Sequence, residues 1–225
     1  MRKINDNFQL KICQLRREKA GIIWTMLTTL VTAAVGIFVF LYLFWRRLKD
    51  DYSSDMIFSA SFLVLAGIAV GLIVSRFFAP ALWFWTEFLG VSLGAAVGIL
   101  KFRLRAFEVI EALALSLLPW VGLTFVSDSI SHSSLPSFLG FVVCAALLAL
   151  FVYFDKHYKS FSWYASGRVG FSGLSILGIF FSLRALVAIF FPFVLSFVGK
   201  YEVLISGIAA FSFYFLVLNL AKKVI

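Results

Sequence analysis

The chain has 225 residues, of which 62% are hydrophobic and 14% charged, and its mean hydropathy is +1.01. Soluble domains carry about 25% charged residues, so this composition excludes an ordinary water-soluble fold. The formal charge of +9 does not indicate nucleic-acid binding, because the basic residues stand in short clusters at the ends of apolar runs, as membrane topology signals do. The two cysteines, Cys13 and Cys144, lack metal-binding spacing, and we expect neither a metal nor a cofactor.

Seven apolar stretches are long enough to cross a hydrocarbon core of roughly 30 Å, which needs about 20 residues per helix. They predict an all-α polytopic membrane helical bundle over residues 21–225, preceded by a basic extramembrane leader at residues 1–20. In chain order, the predicted helices cover residues 21–45, 56–78, 81–100, 107–126, 138–154, 169–191 and 203–220. A serine-rich polar loop, Ser127–Pro136, is predicted between the fourth and fifth helices.

Basic residues mark one side of the membrane. The turns after helices 1, 3 and 5 contain most of them: Arg46, Arg47, Lys49, Lys101, Arg103, Arg105, Lys156, Lys159 and Arg168. The opposite turns contain only Arg76 and Lys200. Because basic turns remain in the cytoplasm, we expect a multi-pass protein of the plasma (inner) membrane whose C-terminus, with Lys222 and Lys223, is cytoplasmic. The basic leader would then be translocated, and it opposes this orientation.

Small residues recur in the second and third helices. Gly67 with Gly71, and Gly90 with Gly94, form G-x-x-x-G motifs, which let helix backbones approach closely in a membrane. Two interpretations follow, close packing of the helices or a cavity for a lipid headgroup.

Two charged residues lie inside predicted spans, where ionisable groups are costly and often functional. Glu87 falls in the third helix and Arg184 in the sixth, both towards the outer ends. Arg184 has three interpretations: an ion pair with Glu87, a contact with a lipid phosphate, or a side chain that reaches the outer headgroups. Glu108 and Glu111 open the fourth helix and predict a charged face at the membrane surface.

Several segments together carry a resemblance to a known family. They are the helix around Trp24 with its exit Trp45-Arg46-Arg47, the run Gly67–Gly71, the basic turn Lys101–Arg105 followed by Pro119, and the run Gly173–Gly178 followed by Arg184. In this order, over roughly residues 24–223, they resemble the bacterial prolipoprotein diacylglyceryl transferase family. The resemblance implies seven helices and transfer of diacylglyceryl from phosphatidylglycerol to a lipoprotein cysteine.

The resemblance also carries over one site residue. Arg184 matches an essential arginine of the family's sixth helix, whereas the family's third-helix histidine is missing from Trp85-Thr86-Glu87. The resemblance therefore implies a lipid transferase in which Arg184 is catalytic and binds the lipid phosphate, with a phosphatidylglycerol-like phospholipid and lipoprotein precursors as partners. The residues themselves add two hypotheses to it, that Glu87 is a catalytic base and that Arg76 also binds the lipid phosphate. The alternatives are a non-catalytic lipid-binding or scaffolding protein of the same fold, and a small transporter that uses Glu87 and Arg184.

Overall fold

The computed structural model describes residues 27–132, 134–161, 164, 167, 169–191 and 196–222. Seven helices are labelled in chain order: α1, described over Leu27–Leu48, α2 (Ser54–Phe78), α3 (Trp83–Phe102), α4 (Ala106–His132), α5 (Leu135–His157), α6 (Phe171–Phe190) and α7 (Tyr201–Lys222). All seven are long and apolar enough to cross a membrane, and the described residues contain no strand. The predicted all-α, multi-pass membrane fold is confirmed.

Some predictions fall on residues outside the described ranges. These are the leader at residues 1–20, Trp24, Arg168, Lys223, and the side chain of Lys222.

The predicted polar loop Ser127–Pro136 is wrong, because α4 continues to His132 and α5 begins at Leu135. The physical reason lies in a small polar cluster. The Asp128 carboxylate accepts hydrogen bonds from the hydroxyls of Ser134, at 3.1 Å, and Ser137. Because these hydrogen bonds satisfy the polar side chains, the polar residues do not end α4 before His132. Pro136 occupies the first turn of α5, where its missing N–H costs nothing.

The glycines of α2 and α3 allow these helices to pack with their backbones in contact. A Cβ atom added at Gly67 would overlap the carbonyl oxygen of Gly90, and one at Gly71 would lie 2.5 Å from the carbonyl oxygen of Thr86. Of the two interpretations of the G-x-x-x-G motifs, the packing one is confirmed. The α2–α3 hairpin touches α4 only sparsely, which leaves space between α3 and α4.

Two hydrophobic cores border this space. The first joins α1 to the neighbouring helices, with Phe40 and Phe44 fully buried among residues of α2, α3 and α4. The second is centred on Phe181 of α6, whose ring stacks on Trp85 at 5.6 Å and on Phe213 at 5.7 Å. The hairpin is thus held to the bundle by both cores.

Candidate functional site: an intramembrane cavity

A cavity of about 350 Å³ lies between α3 and α4 and reaches α6 and α7. Its lining runs from Trp83 to Ile99 on α3 and from Ile110 to Phe125 on α4. At about 1.5 Å of rise per residue, these stretches are roughly 24 Å and 22 Å long. The walls are mostly apolar, and the charged residues in the lining are Glu87 and Arg184. The cavity is therefore a long, mostly apolar slot whose charged residues lie near the start of α3 and towards the end of α6.

Arg184 is held by an ion pair inside the protein. Its Nε and Nη2 atoms donate hydrogen bonds to Glu202 Oε1 at 3.0 and 2.7 Å. Its Nη1 and Nη2 atoms donate to the hydroxyl and the carbonyl oxygen of Ser196 at 3.0 and 2.9 Å. The guanidinium carbon lies 3.7 Å from the centroid of the Phe84 ring. Of the three interpretations of Arg184, the structure shows an ion pair. Its partner is Glu202, so the predicted pairing with Glu87 is wrong.

Glu202 opens α7, and its carboxylate is the most heavily bonded acceptor of this region. Its side chain has 0% exposure, against 6% for Arg184. It also accepts hydrogen bonds from Trp85 Nε1 at 2.9 Å and Ser206 Oγ at 2.6 Å. Sequence reasoning missed Glu202 because it stands just before the predicted start of the seventh helix. Its place at the same end of the predicted bundle as Arg184 was the signal that could have found it.

Glu87 lines the cavity without a hydrogen bond or an ion pair to any described residue. It also lines a shallow groove near the turn between α2 and α3, together with Arg76, Trp83 and Pro80. Arg76 is exposed in the last turn of α2. The structure thus brings Glu87 to one cavity with Arg184 and to one groove with Arg76. In that position the Glu87 carboxylate can accept a proton or bind a donor group of a ligand.

A second polar cluster lies at the opposite end of the bundle. Arg47, at the end of α1, donates to Glu111 at 2.6 Å and to Asp155 at 3.3 Å. Glu111 also accepts hydrogen bonds from the backbone N–H of Gly170, at 2.9 Å, and from the Ser172 hydroxyl. The predicted charged surface face is therefore wrong for Glu111, which is 1% exposed. It is buried because the end of α1 and the start of α6 supply its donors.

Glu108 is also buried rather than exposed at the surface. It accepts hydrogen bonds from the Tyr52 hydroxyl at 2.6 Å and from Arg105 at 3.0 Å. Burial, and next the hydrogen bond to Glu108, raises the pKa of Tyr52 above its ordinary value of 10. Together with the Arg47 cluster, these contacts place the C-terminal ends of α1, α3 and α5 at one end of the bundle. Seven consecutive spans that alternate in direction have this arrangement.

Comparisons with protein-family models, with curated proteins and with solved structures find no match for this chain. The fold and the site define it as a multi-pass helical membrane protein with a long apolar cavity that has charged groups near one end. Among the residues that the structure describes, no three His, Cys, Asp or Glu side chains are grouped to hold a metal ion.

Proposed function

We propose that this protein binds a membrane lipid in the cavity between α3 and α4. The observation that carries the proposal is the distribution of polarity along the cavity. The slot follows roughly 24 Å of α3 with a mostly apolar lining, and its charged residues, Glu87 and Arg184, lie towards the same end of the bundle. A lipid has the same distribution, with long apolar chains and a polar headgroup at one end. The volume of about 350 Å³ falls within the range of ligand pockets, ~300–1,000 Å³.

The same cavity is less suited to a small polar solute. A transported ion or metabolite needs polar groups along its path, whereas most of this lining is apolar. The transporter hypothesis also depended on a site shared by Glu87 and Arg184. Because the Arg184 charge is balanced by Glu202 at 2.7 Å, that shared site loses its cation. The geometry favours a lipid.

Transfer of a lipid group is the second candidate function, and it is favoured by Glu87, which has no partner among the described residues. In a diacylglyceryl transfer, a cysteine thiolate attacks the glycerol carbon, and the bond from that carbon to the phosphate oxygen breaks. The thiol must lose its proton, with a pKa of about 8.5, and the departing phosphate needs a cation. Glu87 would take the proton and Arg76 would contact the phosphate. The substrates are then a phosphatidylglycerol-like phospholipid and a lipoprotein precursor.

The orientation we propose places the end that contains Arg47 in the cytoplasm and the headgroup end of the cavity towards the outer leaflet of the plasma membrane. Exposed Lys101, Arg103 and Lys159 at the former end support it. In intact cells, and in a background in which Cys13 and Cys144 are replaced by serine, a membrane-impermeant thiol reagent should label Lys200→Cys, whereas Lys159→Cys should be labelled only after permeabilisation. The opposite pattern would overturn the orientation.

Lipid binding is tested by filling the cavity. Ala96 lines the slot, and its neighbour Val97 is exposed without lining it, so Ala96→Phe and Val97→Phe form a matched pair. Native mass spectrometry of the purified proteins should show a bound phospholipid with wild type and Val97→Phe, and its loss with Ala96→Phe. Equal lipid retention by both variants would refute the proposal.

Lipid transfer is tested in cells that depend on the protein for lipoprotein acylation. Glu87→Gln should abolish acylation because the amide cannot take the thiol proton. Asp50→Asn, which removes an exposed carboxylate at the opposite end, should preserve it. Acylation that survives Glu87→Gln would refute this role.

A further inference from the structure

The charged residues that line the cavity or contact it leave one negative charge without a counter-charge among the described residues. Arg184 and Glu202 lie 2.7 Å apart and neutralise each other. Glu87 is then the remaining charged residue of the cavity lining, and it has no partner among the described residues. A carboxylate in a mostly apolar cavity is costly without a counter-charge or a hydrogen-bond donor. A bound ligand that supplies a cation would remove this cost.

Aromatic residues surround the same end of the cavity. Trp83, Phe84 and Phe88 line it within about one helical turn of Glu87. Aromatic ring faces attract cations, and ammonium ligands are commonly held by such rings together with a carboxylate. Phe84 already packs on the Arg184 guanidinium, which illustrates the same interaction within the protein. The surroundings of Glu87 therefore suit an ammonium group better than a phosphate.

Arg76 supplies the opposite charge in the groove that Glu87 also lines. Arg76 and Glu87 line the shallow groove together, but the described residues include no ion pair between them. Arg76 is exposed near the outer end of α2, where a phosphate of the outer leaflet is within reach of a long side chain. One positive and one negative residue along a groove are complementary to a zwitterionic headgroup.

From this arrangement we propose that the bound lipid is an aminophospholipid, whose ammonium group binds Glu87 and whose phosphate binds Arg76. This inference rests on the proposed lipid binding and adds the chemical class of the lipid, which differs from the phosphatidylglycerol-like substrate of the second candidate function. A glycerol headgroup offers neutral hydroxyls and leaves the Glu87 charge in place. An ammonium group neutralises that charge and forms a charge-assisted hydrogen bond, which is about twice as strong as a neutral one.

The test compares lipids with identical oleoyl chains on the full chain in detergent, by competition in native mass spectrometry. Wild type should bind phosphatidylethanolamine roughly tenfold more tightly than phosphatidylglycerol. Glu87→Gln should remove that preference, and the control Asp50→Asn should keep it. Arg76→Gln should weaken binding of both lipids to a similar extent, because both have the phosphate.

A second measurement needs no variant of the protein. N-acetylation of the ethanolamine headgroup removes its positive charge and should weaken its binding to wild type by roughly tenfold. Equal or tighter binding of phosphatidylglycerol, or a preference that survives Glu87→Gln, would overturn the aminophospholipid assignment. Lipid binding without any headgroup preference would refute this inference alone. Lipid retained by Ala96→Phe would refute the proposed cavity and, with it, this inference.

Discussion

The buried pair of Arg184 and Glu202 predicts that Glu202→Gln strongly destabilises the protein. The Glu202 carboxylate accepts hydrogen bonds from Arg184, from the Trp85 indole, from the Ser206 hydroxyl and from the backbone N–H of Val198. Glutamine keeps the size of the side chain but replaces one accepting oxygen with a donating nitrogen. It also leaves the Arg184 charge buried without a counter-ion.

The magnitude follows from the burial of both partners, 6% and 0% exposed. Removal of one member of a buried pair costs about 3–5 kcal/mol of the free energy of unfolding. For a chain of this length, each kcal/mol lowers the Tm by about 2–4 °C, so Glu202→Gln should lower it by roughly 6–20 °C. The double variant Arg184→Gln, Glu202→Gln removes the buried charge while keeping an oxygen at position 202 that can accept from Trp85 or Ser206, so it should be more stable than Glu202→Gln alone.

The assay is thermal unfolding in one detergent, followed by tryptophan fluorescence. Glu87→Gln is the matched control, since Glu87 has no partner among the described residues and its loss should cost less than about 1 kcal/mol. Equal losses of Tm in Glu202→Gln and Glu87→Gln would refute the predicted role of the buried pair. A double variant as unstable as Glu202→Gln would refute it as well.

Two further predictions concern packing and pH. Gly67→Ala should destabilise the α2–α3 hairpin by at least about 1–3 kcal/mol, because its Cβ would overlap the Gly90 carbonyl. Gly207→Ala is the control, because its added Cβ has no neighbouring atom within 4 Å, and it should leave the Tm unchanged or raise it. Equal losses of Tm in Gly67→Ala and Gly207→Ala would contradict the close packing of α2 on α3. Because burial raises the pKa of Tyr52 above 10, the folded protein holds the phenol proton more tightly than the unfolded chain. Its stabilising contribution is complete below pH 10 and is lost as the pH rises through the folded pKa. Above pH 10 the wild-type Tm should therefore fall more steeply than that of Tyr52→Phe, and identical slopes would exclude this linkage.

The helices could be predicted from the sequence because their signals are local. Apolar length identifies a span, and glycine spacing identifies a closely packed pair of spans. The end of α4 could not be predicted, because the hydrogen bonds of Asp128 to Ser134 and Ser137 form only when α5 folds back. Similarly, the sequence around Glu111 predicts a surface residue, because its partner Arg47 lies on α1, 64 residues earlier in the chain.

The site could be predicted only in part, for a related reason. The charge of Arg184 inside a span indicates that it needs a partner, but the choice of carboxylate depends on helix rotation and on the chain between α6 and α7. Glu202 is 18 residues from Arg184 along the chain, whereas Glu87 lies far earlier in the sequence. A short connection brings two groups together at a smaller loss of chain entropy, and Ser196 within it adds two hydrogen-bonding atoms for the guanidinium.

This pairing determines which residues can report on function. A cation that binds a lipid phosphate must have charge that the protein has not already balanced, and Glu202 balances Arg184. Loss of activity in an Arg184 variant would therefore follow from an uncompensated Glu202 whether or not Arg184 touches the lipid. Arg76 and Glu87 have no partners among the described residues, so their replacement changes the site while the fold persists. Variants of these two residues therefore report on lipid binding or acylation without a loss of folding stability. A variant of Arg184 would change both together.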